Sequence, residues 1–259
     1  MDTLLDIRGL RAEFTAHDGR RAEAVRGIDL TLEAGRTLGI VGESGSGKTT
    51  TLYASLRQMD KKSNNVSTVE DPIEYHLDGI TQTQTHEKIG MNFARALKAL
   101  LRQDPDIILV GEMRDLDTTQ LAMTAAETGH LVLSTLHTVN AAQTVERIID
   151  LYPAAQQNQI RAMLADTLQA VVSQTLFKRI DTTGMVPAVE VLLCTPAVRN
   201  IIREGRTFEI PNVIETNRAI GMVGLDSAIS SLYFNGLVSK EDALAQSVYP
   251  EKLEQQLAA

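Results

Sequence analysis

Residues 42–49 read Gly-Glu-Ser-Gly-Ser-Gly-Lys-Thr, a phosphate-binding loop of the form G-x-x-x-x-G-K-[ST]. The motif restricts the fold because it works only between a strand and a helix. Its glycines let the backbone close around phosphate oxygens, its N–H groups point inward, and the following helix adds the positive end of its dipole. Both flanks fit. Thr37-Leu-Gly-Ile-Val41 is a short apolar run of buried-strand type, and Leu52, Leu56 and Met59 fall at helical spacing from Thr50 onward. Gly42, Glu43, Ser44, Gly45, Ser46, Gly47, Lys48, Thr49 and Thr50 are therefore candidate nucleotide-binding residues. In such a loop the lysine, here Lys48, reaches the β/γ-phosphates, and the hydroxyl of Thr49 ligates Mg²⁺.

Composition narrows the class. The chain has 259 residues, enough for one large α/β domain with a smaller one beside it, and its 43% hydrophobic content supports a sizeable core. A formal charge of −8 argues against non-specific nucleic-acid binding, which needs a surplus of Lys and Arg. One cysteine, Cys194, excludes an internal disulfide or a multi-cysteine zinc site, and its apolar run marks it as buried filler. No apolar stretch approaches the roughly eighteen residues of a membrane span, and Met1-Asp-Thr-Leu-Leu5 lacks a signal-peptide layout. The expectation is a cytoplasmic protein that reaches a membrane through partners.

Along the chain, residues 3–33 alternate in part between turn signals at Gly9, Asp18-Gly19 and Gly35, which predicts a small antiparallel sheet. Core strands are expected at Val66–Val69, Asp106–Val110 and Leu131–Ser134. Helices are expected at 91–102, Thr118–Thr128 and Gln156–Val172, the last from Ile160, Leu164, Leu168 and Val171 at helical spacing. Two further strands are expected at Ser173–Lys178 and Val186–Leu193, followed by short helices with terminal glycines at Gly205 and Gly236. Ser239-Lys-Glu-Asp242 has the form of a capping box with Asp at its last position. Strands alternating with helices predict a mostly parallel sheet flanked by helices.

A phosphate loop that serves hydrolysis needs a carboxylate at a neighbouring strand end. Asp106-Ile-Ile-Leu-Val-Gly-Glu112 supplies one, and Glu112 is the candidate base or water-positioner. A second acidic cluster, Glu70-Asp-Pro-Ile-Glu74, follows strand Val66–Val69. It reads equally as a Mg²⁺ site acting through water and as an Asp/Pro turn with solvated charges. His130 and His137 bracket the strand from Leu131. Neither has a partner at metal spacing, and a lone histidine is more often structural than a phosphate sensor.

Five segments together resemble the secretion ATPase superfamily, whose members drive type II secretion and type IV pilus extension and retraction. They are Thr50-Thr-Leu-Tyr-Ala54, Thr68-Val-Glu-Asp-Pro-Ile-Glu-Tyr75, Leu101-Arg-Gln-Asp-Pro-Asp106, Val110-Gly-Glu-Met-Arg-Asp115 and Thr128-Gly-His-Leu-Val-Leu-Ser-Thr-Leu-His-Thr138. The resemblance runs from about residue 45 to 250. It implies a RecA-like P-loop fold in which 70–74 is the Asp box, Glu112 closes the Walker B motif and 128–138 is the His box. Glu70 and His137 thereby join Glu112 as expected catalytic residues, and Thr49, Glu70 and Glu112 become the expected Mg²⁺ residues, partly through water. Ala197-Val-Arg-Asn-Ile-Ile-Arg-Glu-Gly205 and Leu225-Asp-Ser-Ala-Ile229 are similar to the retraction enzymes of twitching motility.

The front end departs from that pattern. Leu4-Leu-Asp-Ile-Arg-Gly-Leu10, Ala24-Val-Arg-Gly-Ile-Asp-Leu30 and the segment from Gly35 to Lys48 resemble the start of a peptide-transport ABC ATPase, so the chain looks composite. In that family an aromatic of the front sheet stacks on adenine. Phe14 holds the position, although a core phenylalanine is the plainer reading. The Leu-Ser-Gly-Gly-Gln signature is missing.

The resulting expectation has three parts: an ABC-like β subdomain over 1–35, a P-loop ATPase core over 36–180 and a mainly helical domain over 181–259. The expected function is Mg²⁺-dependent ATP hydrolysis of the pilus-retraction or type II secretion type. The expected assembly is a homo-oligomer, hexameric in the family, acting on an inner-membrane pilus or secretion platform protein. Two alternatives stand beside it: an ABC transporter nucleotide subunit, and an ATP-binding module with little turnover for want of the family's arginine-bearing N-terminal domain.

Overall fold

The computed structural model describes residues 3–15, 21–33, 37–41 and 46–258, with side chains from residue 46 onward. Strands β1 (Thr3–Thr15) and β2 (Arg21–Glu33) form a two-stranded antiparallel sheet, as their alternation predicts. Then follow β3 (Thr37–Val41), α1 (Lys48–Gln58), β4 (Val66–Glu70), β5 (Thr81–Gln84), α2 (Phe93–Leu100) and β6 (Ile107–Val110). After these come α3 (Leu116–Glu127), β7 (Leu131–Leu136), α4 (Ala141–Asp150), α5 (Ala154–Thr167), β8 (Leu168–Lys178) and β9 (Met185–Leu193). The last part is helical: α6 (Pro196–Arg203), α7 (Ile210–Thr216), α8 (Leu225–Phe234), α9 (Lys240–Ala245) and α10 (Pro250–Ala258).

The main sheet has seven strands in the order β5-β4-β6-β7-β3-β8-β9. Every neighbouring pair is parallel except β8–β9. The fold is therefore α/β, as expected. Strands β4, β6 and β7 are buried at every position, the burial that both-face coverage imposes on a parallel sheet. Side chains alternate between the two layers. Ile107, Leu109, Leu131 and Leu133 face Leu52, Tyr53 and Leu56 of α1. Ile108, Val110 and Val132 join Leu97, Ala122, Ala126, Val145 and Leu164 on the other side. Each fully buried leucine contributes about 1.5–3 kcal/mol of transfer free energy, so these two layers supply most of the drive to fold. Beyond the sheet, Leu225, Ile229 and Leu253 close over Phe177, Val186 and Ala188 at the β8–β9 hairpin.

The expected helix over Gln156–Val172 is corrected. Helix α5 ends at Thr167, and Leu168 and Val171 belong to β8. The β-branched pair Val171-Val172 is buried in β8, between β3 and β9, and hydrogen-bonding to both neighbours outweighs the accident of helical spacing. The short polar strand β5 has no apolar alternation to announce it and stands at the sheet edge. The expected boundary at 180/181 falls inside the β8–β9 hairpin, so the core sheet continues to Leu193 and the helical part begins at Pro196. Cys194 is buried filler, its thiol pushed up to about 12 by desolvation. At the capping box, Ser239 Oγ accepts from Asp242 N at 3.0 Å and donates to Asp242 Oδ2 at 2.7 Å.

The strand ends meet closely at Gly111. A Cβ there would lie 3.1 Å from the Val69 carbonyl oxygen and 3.3 Å from Glu70 Cα, so β6 and β4 leave the sheet with backbone against backbone. Gly111→Val is expected to destabilise the fold by about 1–3 kcal/mol, read as a lower urea midpoint. An unchanged midpoint would mean that this approach is looser than described.

Candidate functional site

Parallel pairing carries chemistry to one end of the sheet. Val41 pairs with Leu136, Val110 with Ser134, and Val69 with Val110. The residues that follow these positions, or end the strand beside them, are Glu112, His137 and Glu70. They line one cavity of about 520 Å³ together with Ser46, Lys48, Thr49, Thr50, Tyr53 and Arg114. That volume lies within the range of small-ligand sites, and the place is where open α/β sheets bind ligands.

The phosphate-loop helix enters this cavity with its N-terminus open. Gly47 is the N-cap of α1 at φ 87°, a left-handed conformation that favours glycine, and no side chain among the described residues caps the helix. No acidic residue lies in its first turn. Ser46 Oγ is buried and has no hydrogen-bond partner among the described residues. An uncapped helix N-terminus beside an orphaned hydroxyl fits an oxygen-rich anion such as a phosphate. Gly42, Glu43, Ser44 and Gly45 lie outside the described residues, as does the side chain of Phe14.

Lys48 is only 7% exposed. Its Nζ donates to the Leu136 carbonyl at 3.2 Å and lies 3.4 Å from His137 Nδ1. Burial lowers its pKa, and Glu112 counters that shift. An ammonium can only donate, so His137 Nδ1 accepts and the ring proton sits on Nε2. Nε2 lies 3.0 Å from Glu112 Oε1, the oxygen that also meets Arg114 Nε at 2.6 Å. None of these contacts uses Glu112 Oε2. Desolvation raises the Glu112 carboxyl, but Arg114 and His137 outweigh it, and the net shift is downward. Glu112 is thus held ionised with one oxygen engaged.

Glu70 is placed differently. It is 3% exposed, at the end of β4, and its carboxylate is held on both sides. Oε1 accepts from Thr68 Oγ1 at 2.5 Å and Gln82 Nε2 at 3.1 Å, and Oε2 accepts from the Tyr53 hydroxyl. Tyr53 lies on α1, so this network bolts the phosphate-loop helix to the acidic strand end. Desolvation and Glu70 raise the Tyr53 pKa, which keeps the hydroxyl a donor. The same hydroxyl accepts from Glu74 N at 3.2 Å, and the Tyr53 and Tyr75 rings meet edge to face at 4.5 Å. Tyr53, Thr68 and Gln82 were not singled out from sequence. Tyr53 has one signal, a polar tip on an otherwise buried helix face, whereas Thr68 on β4 and Gln82 on β5 have none.

The two histidines separate. His137 lines the cavity, whereas His130 Nδ1 donates to the Ala125 carbonyl at 2.9 Å and closes the end of α3. Mg²⁺ fits the donors present: Thr49 and an ionised Glu112 both line the cavity and offer hard oxygen atoms. Among the described residues no group of three or more His, Cys, Asp and Glu forms a cage. That suits a cation that completes its shell with water and substrate oxygens.

The sequence matches the family described as "Type II/IV secretion system protein" over residues 17–219. That match begins inside the segment with ABC-like motifs. The chain is 45% identical over 217 residues to the type IV pilus retraction ATPase PilT of Pseudomonas aeruginosa, covering 82% of this chain and 62% of that protein. It is 43% identical over 256 residues to a twitching motility protein of Neisseria gonorrhoeae, covering 97% and 65%. The chain thus spans somewhat under two thirds of these relatives. Its fold is similar to the crystal structure of the pilus retraction motor PilT with bound ADP, with TM-score 0.77 and 32% identity over 97% of this chain and 80% of that one.

Two outcomes follow from the electrostatics. Tyr53→Phe removes a donor from a buried carboxylate and is expected to cost about 1–3 kcal/mol in urea unfolding; an unchanged stability would contradict the network. A carboxyl lowered on folding stabilises above its ordinary value of 4.5 and loses that contribution as pH falls through the folded value. The stability gap between the parent and Glu112→Gln should therefore narrow as pH drops below 4.5, measured as urea midpoints from neutral pH downward. A gap independent of pH would show that Glu112 is not held by Arg114 and His137.

Proposed function

Because the chain belongs to the Type II/IV secretion system protein family, we propose that it is an ATP hydrolase of the motor type, with pilus retraction as the work it serves. The observation that carries this reading is the cavity where Lys48, Glu112 and His137 meet an uncapped helix N-terminus. Retraction is favoured over assembly or secretion by the relatives that cover most of the chain, a pilus retraction ATPase and a twitching motility protein.

In this reading the triphosphate lies along the N–H groups at the start of α1, with Ser46 Oγ as a further donor. Lys48 neutralises the terminal phosphate, and the anion restores the charge that burial disfavours. Glu112 orients a water through the carboxylate and takes its proton as the water oxygen bonds to the terminal phosphorus, the bond from that phosphorus to the bridging oxygen breaks, and the nucleoside diphosphate leaves with the bridging oxygen. His137 fixes the Glu112 carboxylate through Nε2 while its Nδ1 faces Lys48, so base and phosphate-binding lysine are held in one line. Arg114 steadies the same carboxylate oxygen. Thr49 and Glu112 would hold Mg²⁺, which when bound neutralises charge on the phosphate oxygens. Glu70, with both oxygens already accepting, acts as a positioning carboxylate and would act on Mg²⁺ through water.

The proposal extends to a homo-oligomer that works on an inner-membrane platform protein. No helix among the described residues is long and apolar enough to cross a membrane, so a soluble contact of this kind suits the chain.

Phosphate release by the parent, Lys48→Ala and Glu112→Gln tests the site. Glu112→Gln is expected to lose roughly 10²–10⁴-fold in turnover while holding ATP at near-parental affinity. Lys48→Ala is expected to lose affinity as well. Equal rates in all three proteins would exclude this active site.

A further inference from the structure

A second cavity, of about 320 Å³, opens between α7, α8 and α10, apart from the nucleotide site. Its lining holds the carboxylates Glu190, Glu215 and Asp226 against a single lysine, Lys252. We infer that this cavity is a docking site for an arginine side chain presented by a partner polypeptide.

Charge complementarity carries the inference, and the carboxylates are already positioned for it. Glu190 lies on β9 and is only 6% exposed. Its Oε1 accepts from Ala141 N at 2.7 Å and from Ser173 Oγ at 3.4 Å. Asp226, at the start of α8, accepts from Val248 N at 2.9 Å and Tyr249 N at 3.0 Å. Backbone donors thus fix both groups without supplying a cation. Arg218 pairs with Glu215, and Glu190 and Asp226 share the lining with Lys252, the one cationic side chain there among the described residues. Burial, with Asp226 adding to it, pushes the Glu190 carboxyl up, and a cation placed beside it would favour the ionised form.

The walls and rim select the kind of cation. Ile214, Leu225 and Leu253 offer apolar surface to a methylene stem. Phe208 and Tyr249 stand at the cavity 74% and 50% exposed, which suits a planar guanidinium stacking on an aromatic face. The same Glu190 oxygen holds the first N–H of α4, four residues after His137. A cation that draws on Glu190 therefore acts on the segment linking this cavity to the nucleotide site.

Binding is tested by calorimetry on the full chain with Nα-acetyl-arginine amide and, as a neutral isostere, Nα-acetyl-citrulline amide. Saturable binding of the arginine probe is expected, with the citrulline probe weaker by at least about tenfold. Glu190→Gln should weaken the arginine probe by a similar factor. Phe208→Ala, a change at an exposed position that leaves the core intact, should weaken it several-fold. No saturable binding of the arginine probe, equal binding of the two probes, or arginine binding unaltered by both substitutions would overturn the inference. Because binding is read without ATP, this result stands apart from the fate of the hydrolysis proposal.

Discussion

The parallel pairing of β3, β7, β6 and β4 is the constraint on which the site rests. Strand β7 lies between β3 and β6, in register with both. Parallel strands all end at the same edge, so the N-terminus of α1, a histidine after β7 and glutamates at the ends of β6 and β4 meet at one cavity. The hydrophobic layers hold this arrangement. Because each strand alternates side chains between two covered faces, a one-residue slip in register would expose a buried face, and the site inherits the precision of the core.

Burial then sets the electrostatics. Taken alone, desolvation penalises Lys48, Glu112 and Glu190 alike. The three are resolved differently. Glu112 gains Arg114 and His137 and stays ionised. Lys48 is partly compensated by Glu112 and remains lowered, which leaves it receptive to an anion. Glu190 receives backbone and hydroxyl donors but stays raised, receptive to a cation. The two cavities are thus complementary in sign, and the segment 137–141 touches both.

Much of the site was legible because its signals are local. The phosphate loop is eight consecutive residues, and Glu112 follows an unbroken apolar run, so strand and carboxylate are read together. Glu70 and His137 were less legible. Each stands at a strand end, but only the resemblance to a family separated them from a solvated turn and from His130. What the sequence could not disclose is tertiary. The grip of Tyr53 on Glu70 joins residues 17 apart, on a helix and a strand that periodicity cannot relate. The second cavity gathers residues from β9, α7, α8 and α10, each ordinary in its own segment. The misread helix before β8 has a local cause: Ile160, Leu164, Leu168 and Val171 keep helical spacing across a junction with neither glycine nor proline.

The central claim is that the strand ends aim Glu112 at the terminal phosphorus of a nucleotide held by the loop before α1. A crystal structure of the chain with ADP, Mg²⁺ and aluminium fluoride measures this most directly, through the distance between the fluoroaluminate and the Glu112 carboxylate. The account predicts a water between the two, with Lys48 Nζ on the fluorides. A fluoroaluminate bound away from Lys48, or a Glu112 carboxylate turned from it with no water between, would contradict the account.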